Sequence, residues 1–144
     1  MDTKLRADIA ESAVITELLG RGCKVLKPVG DRLPYDLVVD FNGRFVRLQV
    51  KTAWYNELKS MYIVDNRRTR TNRRFMKRMA YSDRDFDFAI LYLHERRIFY
   101  VMPVDIFISY GSSIAIVEDK KRQRPPRSSE FRERWDLLTS DAFR

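Results

Sequence analysis

The stretch Pro34–Lys51, reading PYDLVVDFNGRFVRLQVK, constrains the chain more than any other. Asn42 and Gly43 at its middle both tolerate the positive φ that a two-residue type I′ turn demands. The runs on either side alternate as strands do. A two-residue turn pairs Phe41 with Arg44 and carries the pairing outward, rung by rung, until Asp36 stands opposite Gln49. Cross-strand partners share a face of the sheet, and side chains return to a face at every second residue. Arg47, Gln49 and Lys51 therefore fall on the face of Asp36, while Val46, Leu48 and Val50 take the other. The hairpin gathers an acid, an amide and an amine into one polar cluster. A slip of one residue would part Asp36 and Gln49 to opposite faces, so the reading rests on register. Asp40 shares the strand face of Asp36 but lies roughly 13 Å along it by strand rise, too far to act with it.

Upstream, Thr3–Leu19 reads as a helix ended by Gly20 and Gly22. At the helical period Ala10, Val14, Ile15, Leu18 and Leu19 form one apolar face, and Glu11 projects from the middle of it. Carboxylates are seldom buried unless paired or bound to metal, so Glu11 is either an ion-pair partner at the edge of the face or a ligand. Asp8 is the competing acid on that side, and it also suits the helix dipole. Lys24–Val29 is a predicted strand closed by Pro28 and Gly30. Residues 30–34 form a loop into the hairpin, and Tyr35 is expected to be exposed or to pack.

After the hairpin, Ala53–Lys59 reads as a connection in which Trp54 and Tyr55 are expected to pack into the core, with stacking on bases or a subunit interface as the alternatives. Met61–Asp65 reads as a third sheet strand. Arg67–Arg78, RRTRTNRRFMKR, has Arg or Lys at seven of twelve positions. Such a run usually marks a solvated face or a disordered tail. Lying between strands, it reads instead as a loop or arm contacting DNA through Arg67, Arg68, Arg70, Asn72, Arg73, Arg74, Lys77 and Arg78. Arginine pairs with phosphate or bidentately with guanine, and Asn72 is an adenine candidate by residue type. Asp87–Leu93 is nearly continuous in apolar residues, as a central strand requires. A turn at 94–97 follows, with His94 expected to face solvent. Ile98–Met102 returns as a strand, Val104–Tyr110 suggests a short helix, and Ser113–Glu118 is an apolar edge strand suited to an oligomer contact. Lys120–Arg127 is a basic loop, and Glu130–Leu138 fits a helix presenting Phe131, Trp135 and Leu138.

Size and charge bound the possibilities. A chain of 144 residues with 44% hydrophobic content suits one domain with one core. A net charge of +8 favours a polyanionic partner. One cysteine, Cys23, excludes an internal disulfide and fits a reducing compartment. There is no Cys/His cluster for zinc, no secretory signal, and no apolar run long enough for a bilayer. The expected location is cytoplasmic, with access to nucleoid DNA.

The order Pro34-Tyr35-Asp36, then Gln49-Val50-Lys51, resembles the PD-(D/E)XK nuclease superfamily. There an Asp and a later acid-X-Lys triplet come from adjacent strands of a mixed sheet, and Gln49 is the departure from that pattern. Charge, small size, the upstream acidic helix and the basic middle make the chain look like an intron-encoded homing endonuclease of that superfamily. Archaeal-type Holliday junction resolvases share the scaffold. The resemblance implies an α/β fold, a restriction-endonuclease-like mixed β-sheet core flanked by helices. It implies a single domain over 1–144, with a basic DNA-contacting insertion around 66–80 and a C-terminal helix over 128–140.

The implied activity is site-specific, Mg²⁺-dependent cleavage of both strands of DNA by phosphodiester hydrolysis, with Mn²⁺ as the other candidate ion. Asp36 would be the first metal ligand. Gln49 would offer an amide oxygen and Val50 its backbone carbonyl, while Glu11 would restore the charge that Gln49 lacks. Lys51 would orient the attacking water or stabilise the pentacovalent phosphate. Three accounts of Gln49 stand: Asp36 and Glu11 are the only acids of a working site, the amide is engineered, or the site has decayed. Glu11, placed where a compensating acid belongs, favours the first. Cutting two strands needs two sites, hence a homodimer at least, or a tetramer where a long target is covered. The alternatives are a Holliday junction resolvase, which reads junction shape, and a catalytically inactive DNA-binding module.

Overall fold

The structure, a computed structural model, describes residues 2–71, 76–119 and 124–140, with backbone alone for 68–71 and 76–78. Helix α1 (Thr3–Gly20) is capped by Asp2, whose carboxylate accepts the Lys4 N–H at 2.9 Å. It ends where Gly22 takes φ +80° and the Cys23 N–H returns to the Leu18 carbonyl at 3.0 Å. Ala10, Val14 and Leu18 are buried, whereas Leu19, expected on the same face, is 56% exposed.

The strands β1 (Lys24–Leu26), β2 (Leu37–Phe41), β3 (Arg44–Asn56) and β4 (Met61–Asp65) follow. Then come β5 (Arg67–Thr71), β6 (Met76–Ala80), β7 (Phe88–Leu93), β8 (Ile98–Pro103), helix α2 (Val104–Ser109) and β9 (Ser113–Ile116). The main sheet has seven strands in the order β1-β2-β3-β4-β9, with β7 beside β3 and β8 beside β7. β3 and β7 pair in parallel and the other described ladders are antiparallel, so the sheet is mixed, as expected. All six residues of β7 are buried, which explains its unbroken apolar sequence.

Arg47 and Asp87 fix where β7 begins against β3. The Asp87 carboxylate accepts the Arg47 backbone N–H at 2.7 Å and the guanidinium at 3.2 Å, and the Asp87 N–H donates to the Arg47 carbonyl at 2.9 Å. The Arg47 guanidinium also donates to the Arg84 carbonyl at 2.6 Å. Because these are charge-assisted bonds between half-buried groups, Arg47→Ala is expected to lower unfolding free energy by about 1.5–3 kcal/mol in a urea titration.

Several expectations are corrected. β3 does not stop before Ala53. It runs on to Asn56 because Trp54 and Tyr55 pair with Ile63 and Tyr62 of β4, and the Tyr55 and Tyr62 rings meet edge-on at 5.2 Å. Trp54 and Tyr55 are each 41% exposed rather than core residues. β1 stops at Leu26, which leaves Lys27 just beyond the strand. The basic stretch is a two-stranded ribbon, with Arg70 opposite Lys77 and Arg67 opposite Ala80. Ribbon pairing satisfies its backbone without a core. Asn72, Arg73 and Arg74, and residues 120–123 of the later basic loop, lie outside the described residues.

His94 is half-buried against Tyr92, with ring centroids 4.9 Å apart, and its Nε2 is buried without a hydrogen bond. Burial holds its pKa below the usual value. The C-terminal helix is two 3-10 helices, Arg127–Phe131 and Trp135–Thr139. Glu133 separates them at φ +53°. Its N–H donates to the Phe99 carbonyl at 2.8 Å, and its carboxylate accepts the Phe99 N–H and the Trp135 indole N–H, each at 2.9 Å. The β8 backbone thus captures the residue that a continuous helix would need. Phe131, Trp135 and Leu138 are buried as expected.

Candidate active site

The Asn42-Gly43 turn sets the register anticipated for it, from Phe41 opposite Arg44 to Leu37 opposite Leu48. Asn42 and Gly43 both have positive φ, and Asp40 closes the turn by accepting the Gly43 N–H at 2.6 Å. At Leu48 the neighbours of β3 change. The β2 ladder ends there, and the β7 ladder, Leu48 opposite Phe88, begins there. Asp36 sits one residue beyond β2 and does not simply continue the pairing. Its N–H donates to the Leu48 carbonyl at 2.8 Å, and its carboxylate accepts the Val50 N–H at 2.8 Å. The side chain takes the place of a missing strand at the point where the Gln49-Val50-Lys51 triplet starts.

Burial pushes the Asp36 carboxyl up to about 6. The Val50 N–H opposes that shift, the Glu11 charge adds to it, and Lys51 and Lys27 oppose it more weakly. The Glu11 charge on α1 is therefore near enough to act on Asp36. The Glu11 side chain is 24% exposed, and its buried Oε1 pairs with the Lys27 ammonium at 2.7 Å. Asp8, the competing acid, is exposed.

Gln49 is half-buried, and its amide nitrogen lies 3.4 Å from the Val50 carbonyl. The Lys51 ammonium donates to the Arg67 carbonyl at 3.0 Å and lies 4.9 Å from the Tyr81 ring centroid. Arg47, expected on the same face, is held by Asp87 instead.

The donors gathered here are oxygens: two carboxylates, an amide and a backbone carbonyl. Such a set suits a hard divalent cation. The buried Asp36 carboxylate, its charge raised in cost by burial and by the Glu11 carboxylate, is what a cation would neutralise, although Lys27 already compensates Glu11 in part. Among the described residues no group of three or more His, Cys, Asp and Glu is assembled, in keeping with Gln49 at the third acid position.

Three residues of this neighbourhood carried no sequence signal: Lys27 against Glu11, Asn66 at the start of the ribbon, and Tyr81 under Lys51. Each makes its contact with a residue remote in sequence, so no local pattern marks it.

A mixed sheet whose hairpin and first helix bring an acid, a second acid and an X-Lys pair together defines the restriction-like endonucleases. The family model described as PD-(D/E)XK endonuclease matches residues 1–138, and the chain belongs to that family. It is also similar to the solved structure of a bacterial homing endonuclease, I-Ssp6803I, at 55% identity and a TM-score of 0.89. The match covers 96% of this chain and 93% of that one. No curated protein matches. PD-(D/E)XK nucleases generally use divalent metal ions, and their substrate is DNA. No helix among the described residues is long and apolar enough to cross a membrane.

Proposed function

We propose that the chain is a site-specific homing endonuclease that breaks both strands of double-stranded DNA by Mg²⁺-dependent phosphodiester hydrolysis, with Mn²⁺ able to substitute. The observation that carries this reading is the buried Asp36 carboxylate, bonded to the Val50 N–H of β3 where the β2 ladder ends and acted on by the charges of both Glu11 and Lys51. Asp36, Glu11, the Gln49 amide oxygen and the Val50 carbonyl would hold the ion. Once bound, it supplies positive charge to the phosphate oxygens and makes a water more acidic.

The remaining work falls to the chain's own groups. The Val50 N–H fixes the Asp36 carboxylate in one orientation. The Lys51 ammonium is a fixed donor for charge that develops on the phosphate, or for the attacking water. Gln49 keeps the oxygen of the usual acid without its charge, and Glu11 supplies the second carboxylate. The half-buried setting keeps these interactions stronger than they would be in bulk water.

The basic ribbon lies beside this site, because Lys51 bonds the Arg67 carbonyl at its root. Arg67, Arg68, Arg70, Lys77 and Arg78, with Asn72, Arg73 and Arg74, are proposed to hold DNA there. Removing the paired Arg70 and Lys77 to Ala, one at a time, is expected to reduce the slope of log K against log salt by about 0.9 for each lost phosphate contact. A fluorescence-anisotropy salt series measures this, and an unchanged slope would take those residues off the DNA.

Two strands require two such sites, so the working particle is a homodimer at least and a tetramer where the target is long. The 55% identity to a homing endonuclease favours this reading over a junction resolvase. Competition binding separates them: one long duplex sequence preferred over others marks homing, and any four-way junction preferred over any duplex marks resolution.

A further inference from the structure

The root of the basic ribbon is built from both of its ends. On the incoming side, the buried Asn66 donates its amide to the Phe107 carbonyl at 3.3 Å and to the Tyr110 carbonyl at 3.2 Å, while its N–H reaches the Ser112 carbonyl at 3.3 Å. On the outgoing side, Tyr81 is 8% exposed and stacks edge-on with Phe86 at 5.2 Å and Phe107 at 5.9 Å. Phe86 and Phe107 complete the cluster at 5.5 Å. Both ends of the ribbon are therefore seated on α2, through the carbonyl and the ring of the same Phe107.

Lys51 touches both ends as well. Its ammonium bonds the Arg67 carbonyl on one side and faces the Tyr81 ring on the other. A lysine ammonium rides on a flexible four-carbon stem with three rotatable donors, so two fixed partners are needed to hold it at one point. The carbonyl and the aromatic face are both electron-rich, and a cation is attracted to each.

We propose that Tyr81 is a positioning residue for Lys51, so that the seating of the basic ribbon sets where the active-site ammonium stands. The inference rests on the catalytic role proposed for Lys51. The ribbon that would grip DNA and the lysine that would meet the scissile phosphate share one support. A ribbon displaced from its seat would carry the lysine away, which gives the enzyme a way to connect correct target engagement with cleavage.

The test holds the shape of residue 81 constant and weakens only its ring face. Tyr81→Phe is the reference. Mono-, di- and trifluorinated phenylalanines are then placed at position 81 and, as a control, at position 86, whose ring belongs to the same cluster. The substrate is a duplex isolated by selecting cleaved molecules from a randomised pool. Cleavage of fully bound duplex is followed in single turnover, with DNA dissociation constants and melting temperatures measured alongside.

The cleavage rate should fall stepwise with fluorine number at position 81, by about threefold to thirtyfold in total. DNA affinity and melting temperature should hold, and the series at position 86 should leave the rate unchanged. A rate independent of fluorine number at position 81, or one that falls equally in the position-86 series, would overturn the proposal and leave Tyr81 as packing alone. Lys51→Ala, measured in parallel, keeps the two ideas apart: wild-type cleavage by that variant would remove the role of Lys51 itself.

Discussion

Asp36→Asn is expected to give a protein that binds DNA about as well as the wild type, melts higher without metal, and cleaves at least about a thousandfold more slowly. The loss follows from removing the leading carboxylate ligand, which withdraws several kcal/mol of charge stabilisation at about 1.4 kcal/mol per tenfold in rate. The stability gain has a separate origin. Asp36 has its pKa raised from 3.8 to about 6 in the folded chain, chiefly by burial and further by Glu11. Below pH 3.8 the carboxyl is neutral in both states and folding bears no penalty. Between that value and about 6 the folded state binds more protons than the unfolded, so stability falls as pH rises.

Above about pH 6 the full penalty remains, at most about 3 kcal/mol for a shift of this size. The asparagine amide oxygen can still accept the Val50 N–H but carries no charge to desolvate. About 1–3 kcal/mol should return at neutral pH, or several degrees in melting temperature for a domain of this size. At pH 4 the two proteins should differ little. Melting curves of the metal-free proteins at pH 4 and pH 7.5 check this. Equal melting temperatures at pH 7.5 would mean that Asp36 is not held as an unfavourable charge.

Lys51→Ala is expected to reduce single-turnover cleavage by about 10²–10³, the range for loss of one donor to developing transition-state charge. DNA binding should weaken little, because the ribbon carries most of the positive charge proposed to contact phosphate. The loss should therefore appear in the rate of the bound complex rather than in its dissociation constant. Lys51→Ala also removes the bond to the Arg67 carbonyl, so ribbon seating is checked by melting temperature. A variant that loses affinity and rate in equal proportion would place Lys51 in DNA binding instead of chemistry.

The features legible in the sequence were those fixed by local geometry. Asn42-Gly43 specifies its own turn, and the alternation on each side leaves one register that buries Val39, Val46 and Leu48, all at most 2% exposed. The helix period placed Glu11 in the middle of the apolar face, and it lies half-buried there with Lys27 as its ion-pair partner. The even burial of Phe88–Leu93 followed from an apolar run too short for a helix and bounded by charges.

What escaped were contacts decided by tertiary partners. Glu130–Leu138 has a helical pattern, yet Glu133 finds the open backbone of Phe99 and the pattern yields. Trp54 and Tyr55 look like core residues, but a long β3 carries them past the edge of the core to meet β4. At the site, the expected opposition of Asp36 and Gln49 became a side-chain-to-backbone bond at Val50, because β2 begins at Leu37, one residue after Asp36. Lys27, Asn66 and Tyr81 were invisible for the same reason: their partners are Glu11, α2 and Lys51.

The central claim is that this hairpin holds a metal-dependent phosphodiesterase, and cleavage of supercoiled plasmid DNA carrying the selected target duplex tests it most directly. Wild type and Asp36→Asn are compared in Mg²⁺, in Mn²⁺ and in EDTA. The account predicts nicked and linear products from the wild type with either ion, none in EDTA, and none from Asp36→Asn under any condition. Cleavage that persists in EDTA, or that survives in Asp36→Asn, would contradict it.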